Sequence, residues 1–218
     1  MLKFTLTLPI RTAVIQTASL QVTNEKTAYR QLEECAAAYR TQYGQISVGN
    51  VEGIKVGRRL FRALGIDPTK RRPSSEALLN RALKQKPLYS INSLVDVANW
   101  CALDFLLPNG AYDLKKIIGP VVLRKGLANE SYTGLNNRDV NLFGRYCLVD
   151  DKGPFGSPIT DSRRTSIDEN TTQSLFIIFS PEDYDLNLLS KYADIMAERI
   201  TNVCGGTTIK INIVDGKI

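Results

Sequence analysis

The chain contains no histidine. That absence removes Ser-His-Asp and Cys-His nucleophilic sites, His-ligated zinc and imidazole acid–base catalysis together. Any chemistry must therefore run on carboxylates, hydroxyls, amides, backbone groups or the substrate itself. The four cysteines, Cys35, Cys101, Cys147 and Cys204, include no C-x-x-C pair. Three of them lie in apolar runs and read as reduced, buried thiols rather than a disulfide or zinc framework. Nothing in the sequence asks for a metal or an organic cofactor. No apolar run is long enough to span a bilayer, and the N-terminal MLKFTLTLPI lacks the continuous apolar stretch of a signal peptide. A soluble, cytoplasmic protein with no membrane partner is the expectation. No repeat, low-complexity stretch or linker interrupts the chain.

What is present fits one ordinary globular unit. The 218 residues are 43% hydrophobic and 23% charged, enough to bury a sizeable core. The net charge of +6 is unevenly spread. Between Asn50 and Ser90 stand ten basic residues, among them Arg58, Arg59, Arg71 and Arg72, against the three acidic residues Glu52, Asp67 and Glu76. Such a segment suits phosphate contacts, and equally a solvated helix face.

Alternating Leu2, Phe4, Leu6 and Leu8, and then Ala13–Leu20, read as strands. The spacing of Tyr29, Leu32, Ala36, Tyr39 and Tyr43 predicts a helix over Glu25–Tyr43 stopped by Gly44. Ile54–Leu64 is a second, basic helix, and a third restarts behind Pro73 with Ser74 or Ser75 as its cap. LLPNGAYD reads as a Pro-Asn-Gly turn. Gly119–Arg124, Leu142–Asp150 and Ser174–Ser180 are strand-like, with a long polar loop before the last. A closing helix over Asp185–Val203, capped by Gly205-Gly206, and a strand TTIKINIV complete an α+β reading with mixed or antiparallel sheets and packed helices.

SINSLVDVANWCALDF, Ser90–Phe105, is the unusual stretch. As a helix it sets Asn92, Asp96 and Asn99 at i, i+4, i+7 on one narrow line in otherwise apolar surroundings. Ser93 followed by Asp96 matches a capping box, which accounts for Asp96 without function. Asn99, two turns in, has no such explanation.

These ordered pieces resemble a known family. RRPSSEALLNRALKQKPLYSINSLVDVANWCALDFLLPNGAYDLKKI, then VVLRKG, CLVDDKG and DSRRTSIDENTTQSLFII, are similar to the B3/B4 domain, the tRNA-editing module of the phenylalanyl-tRNA synthetase beta subunit. The match runs over about residues 57–180, within a single domain of 1–218 whose N-terminal strand and helix and C-terminal helix and strand complete the core. INSLVDVANW, GAYDL and DSRRTSIDENT are its most specific parts. In the synthetase the domain hydrolyses tyrosine wrongly attached to the phenylalanine tRNA, so the resemblance implies a pocket for an aminoacylated tRNA 3′ end.

Departures from the bacterial pattern are visible. Ala98 stands where V-D-V-T-N-Y has threonine, with Asn99 kept. Gly110 stands where L-H-A-F-D has histidine, followed by Ala111, Tyr112 and Asp113. Asp161, Ser162 and Arg163 fall near the bacterial G-G-E. The resemblance implies Asn99, Gly110, Ala111, Asp161, Ser162 and Thr165 as catalytic candidates. Asn92, Asp96, Ala98, Tyr112 and Asp113 would support the pocket, and Arg58, Arg59, Arg71, Arg72, Arg163 and Arg164 would contact RNA. Three functions stand open: a trans-editing aminoacyl-tRNA hydrolase, a non-catalytic tRNA or aminoacyl-ligand binder, and a protein-interaction or small-metabolite module on the same fold.

Overall fold

The structure, a computed structural model, describes residues 2–4 and 8–216; Leu6, part of the expected N-terminal alternation, lies outside them. A four-stranded antiparallel sheet forms the centre, ordered β10 (Thr207–Asp215), β2 (Ile10–Ala18), β9 (Gln173–Pro181), β3 (Asn109–Asp113). In β9 the run Leu175–Phe179 is buried throughout because both sheet faces are covered. Phe176 and Ile178 point to one side, and Leu175, Ile177 and Phe179 to the other, as a period of two requires.

Helices cover the first side. α4 (Ser93–Phe105) and α5 (Leu186–Cys204) bring Leu94, Val97, Cys101, Leu189, Met196 and Ile200 onto Phe176 and Ile178. α1 (Thr27–Tyr43) and α3 (Ser74–Leu83) pack outside α4 through Leu32, Ala36, Leu79 and Leu103. The second side meets Leu60 and Phe61 of α2 (Glu52–Ala63) and a second sheet. That sheet is ordered β1 (Leu2–Phe4), β4 (Val121–Lys125), β7 (Tyr146–Asp150), β8 (Gly153–Gly156), with β1 and β4 parallel and the other pairs antiparallel. A small hairpin of β5 (Ser131–Thr133) and β6 (Asp139–Asn141) extends from it. The class is α+β, as the sequence predicts.

Three local expectations are corrected. Pro108-Asn109-Gly110 is not a turn: Asn109 and Gly110 open β3, paired with Ile178 and Ile177 of β9. The cap of α4 is Asn92, whose side chain accepts from the Val95 N–H at 3.0 Å, so the Ser93–Asp96 capping box is out of register by one residue. Ser93 Oγ instead accepts from the Thr23 N–H at 2.9 Å. Neither Ser74 nor Ser75 caps α3; Pro73 holds that position without a side-chain bond, and Ser75 Oγ is buried with no partner.

All four cysteines are free, and burial pushes the Cys101 thiol up to about 12, far from a reactive thiolate. No helix among the described residues is long and apolar enough to cross a membrane.

Candidate functional site

A cleft of about 620 Å³ opens between α4, the start of β3, the loop after β8 and the tip of the β5–β6 hairpin. Its size suits a small organic group with a few placed polar contacts. α4 supplies Val95, Ala98, Asn99 and Ala102, the i, i+3, i+4, i+7 stripe of one helix face. Ile159 and Ile167 of the loop and Leu135 of the hairpin complete apolar walls.

The polar line of α4 is therefore divided. Asn92 is spent on the helix cap. Asp96, fully buried, accepts from the Ile91 N–H at 2.9 Å and from Ser90 Oγ at 2.5 Å, tying the entering chain to the first turns. Only Asn99 of the three lines the cleft. It is half-buried, and none of the described hydrogen bonds uses its amide, which leaves both donor and acceptor for a ligand.

On β3, Asn109 donates its side-chain N–H to the Ala98 carbonyl at 2.9 Å, fastening strand to helix, and Ala111 lines the cleft. Tyr112 turns the opposite way, as alternation demands, and is fully buried. Its ring meets Phe155 edge-on at 5.1 Å, and its hydroxyl donates to Asp161 Oδ1 at 2.5 Å. Gly110, on the same strand face, carries no side chain for a reason: a Cβ there would fall on the Tyr112 hydroxyl. Asp113 is further along, accepting from the Lys115 N–H at 3.0 Å and from Thr171 Oγ1 at 2.9 Å, which anchors the strand end rather than lining the cleft.

Asp161 lies on the cleft wall, half-buried. Burial pushes its carboxyl up to about 7, although the donated Tyr112 hydroxyl and the nearby backbone N–H groups of Ser157 and Ala111 favour the ionised form. Neutral donors offset part of the desolvation of a carboxylate, and no cation completes the offset. Ser162 and Thr165 sit behind the wall. Both are buried, their hydroxyls are 3.3 Å apart, and the Ser162 N–H donates to the Phe155 carbonyl at 2.8 Å.

The six arginines divide as well. Arg58 forks onto the fully buried Glu76 at 2.7 and 2.6 Å, and Arg72 approaches the same carboxylate at 3.6 Å while half exposed. Arg164 forks onto Asp150 at 3.0 and 2.8 Å and lies 5.7 Å from the Phe155 ring centre. Arg59 pairs with Asp183 at 3.2 Å on the surface. Arg71 is exposed and enters none of the described ion pairs. Arg163 is on the cleft rim, bonded to Asn137. Arg58 and Arg164 thus serve the fold, and Arg71, Arg72 and Arg163 remain presented to solvent.

Sequence reasoning missed Asn109, Ser157, Asn137 and the apolar wall residues. Asn109 carried a misleading turn signal, Ser157, Asn137, Leu135, Ile159 and Ile167 lie outside regular helices and strands with no periodic pattern, and Val95 and Ala102 are hidden in a helix that is apolar nearly all round. The arrangement places in one cleft a carboxyl whose proton affinity burial has raised toward neutral pH, an unengaged amide, and apolar walls, groups that suit ester hydrolysis or the holding of a polar head group.

A family model described as the B3/4 domain matches residues 56–201. The phenylalanine–tRNA ligase beta subunit of Psychrobacter arcticus is 36% identical over 93 residues, 42% of this chain and 12% of that protein. That of Chromobacterium violaceum is 32% identical over 117 residues, 50% of this chain and 14% of that protein. The matches thus span only about an eighth of the length of these curated relatives. Among solved structures, an N-terminal fragment of the phenylalanyl-tRNA synthetase beta subunit from Pyrococcus horikoshii has a TM-score of 0.44 at 15% identity, covering 66% of this chain and 61% of that one.

Proposed function

We propose, from the premise that this chain belongs to the B3/4 domain family, that it binds the aminoacylated 3′ end of a tRNA and hydrolyses a wrongly attached amino acid in trans. The observation that carries the reading is Asp161, a carboxyl raised toward neutral pKa by burial on the wall of the cleft beside α4, in a chain with no histidine to do the same work.

In the reaction so read, the Asp161 carboxylate takes a proton from a water as that water's oxygen bonds to the ester carbonyl carbon. The Asn99 amide donates to the developing oxyanion. When the intermediate collapses, the bond to the ribose oxygen breaks and Asp161 returns the proton to that oxygen, freeing the amino acid and the tRNA. The walls built by Val95, Ala98, Ala102, Ile159 and Ile167 favour an apolar or aromatic amino acid. Arg163 on the rim, with Arg71 and Arg72 ahead of α3, supplies cations for the phosphates of the acceptor end.

The relatives' names support tRNA as the partner, since they are beta subunits of a tRNA ligase. The test is deacylation of a panel of tRNAs charged with correct and incorrect aromatic and aliphatic amino acids at low salt. One mischarged species should lose its amino acid faster than the protein-free control. Asn99→Ala should slow that loss by about 100-fold, the usual cost of an oxyanion donor. Salt-sensitive tRNA binding without release of any amino acid would replace the hydrolase with a binding module.

A further inference from the structure

We propose that Tyr112 is the positioning residue of this site: its buried phenol holds the Asp161 carboxyl against the cleft wall, and Gly110 with Gly156 form the slot that admits its ring. The inference rests on the reading of Asp161 as the proton carrier. Tyr112 cannot act on a ligand itself, because no part of it reaches solvent. Its one polar atom is aimed at Asp161 Oδ1, 2.5 Å away.

A buried phenol must find an acceptor, and a main-chain carbonyl would suffice. The neighbouring Tyr132 does that, donating to the Thr160 carbonyl at 2.6 Å with Ser157 Oγ at 3.2 Å. Tyr112 instead ends on a side chain that needs holding. Asp161 lies in a loop, whereas Tyr112 lies in β3, paired through Ala111 and Tyr112 to Phe176 and Leu175 in the buried centre of the fold. The bond therefore transfers the order of the sheet to the carboxyl.

Space for this is specifically kept. A Cβ on Gly110 or on Gly156 would come within 3 Å of both the hydroxyl and the ring of Tyr112, closer than atoms pack, and Phe155 closes a third side. Two strands from different sheets thus each give up a side chain around one phenol.

The same bond favours the ionised carboxylate, so its removal has a readout that simple loss of packing lacks. The remaining titratable or charged groups around Asp161 are Tyr132 from β5 and Arg163 on the rim; Arg164 is turned to Asp150.

The experiment follows the 13C carboxyl resonance of Asp161 against pH in the intact chain, without substrate, for wild type, Tyr112→Phe, Tyr132→Phe and Gly156→Ala. Tyr112→Phe keeps the ring and should raise the Asp161 midpoint by about one pH unit, and Gly156→Ala should raise it in the same direction by displacing the ring. Tyr132→Phe, which also deletes a buried hydroxyl, should move it far less. An unmoved or lowered midpoint in Tyr112→Phe, or an equal shift in Tyr132→Phe, overturns the proposal even if the wild type hydrolyses aminoacyl-tRNA. A raised midpoint specific to Tyr112→Phe supports it even if no aminoacyl-tRNA is hydrolysed, in which case the hydrolase reading alone falls.

Discussion

Two carboxylates on either side of β8 have opposite fates. Asp150, fully buried at its side chain, receives both arms of Arg164 and the N–H groups of Ile118 and Lys152, each at 2.9 Å. Burial alone would lift its carboxyl, but the arginine and these amides hold it below the ordinary range. Asp161 also has backbone amides nearby that favour its ionised form, yet its side-chain partner is a neutral phenol. Burial wins there, and the proton stays until about pH 7. The charge of one partner separates a brace from a group able to exchange protons.

The largest effect that could break this contrast is on rate. Asp161→Asn should cost about 10²–10⁴-fold in deacylation, the range for loss of a general acid–base group, whereas Asp150→Asn should leave the rate within a few fold of wild type once both proteins are shown to be folded. Equal losses would erase the distinction.

Stability should respond in the reverse sense. Arg164→Met strands Asp150 without its cation and should lower unfolding free energy by on the order of 3 kcal/mol at pH 7, read from urea midpoints. Because the folded Asp150 carboxyl sits below its unfolded value, that contribution is full above the unfolded pKa and is lost as pH falls through the folded one. The variant and wild type should therefore converge in acid. A constant gap across pH would assign the loss to Arg164 packing on Phe155 instead.

A third, smaller effect sharpens the contrast within the wild type. As a base, Asp161 must be ionised, so deacylation should fall about tenfold for each pH unit below 7 and be level above it. Arg164→Met should leave that inflection in place, since Arg164 faces the other carboxylate.

The α+β class was legible because β9 and α5 announce themselves as a short apolar run and a helical stripe, whereas the order of the layers has no local signal. Leu175–Phe179 read as a strand, and Leu189, Met196 and Ile200 as a helix face, while the covering of β9 on both sides is seen only in the structure. The site was legible in part. Asn99 and Asp161 could be named from the motif residues, and a structural role for Asp96 could be read from its place near the helix start, but its partners Ser90 and Ile91 could not, because that contact is made by the chain entering the helix rather than by helical spacing. Asn109-Gly110 has the composition of a turn, yet pairing with Ile177 and Ile178 overrides it. The commitment of Arg58 to Glu76 and of Tyr112 to Asp161 joins residues far apart in sequence, which no local pattern encodes.

The slot around Tyr112 also constrains the order in which this sequence can change. A methyl group at Gly110 or Gly156 collides with the Tyr112 ring and hydroxyl, and a smaller residue at position 112 would remove that collision. Restoring the tyrosine would then require glycine again at whichever position had changed. The three positions are therefore physically coupled, and a tyrosine able to hold Asp161 needs glycine at both of the others.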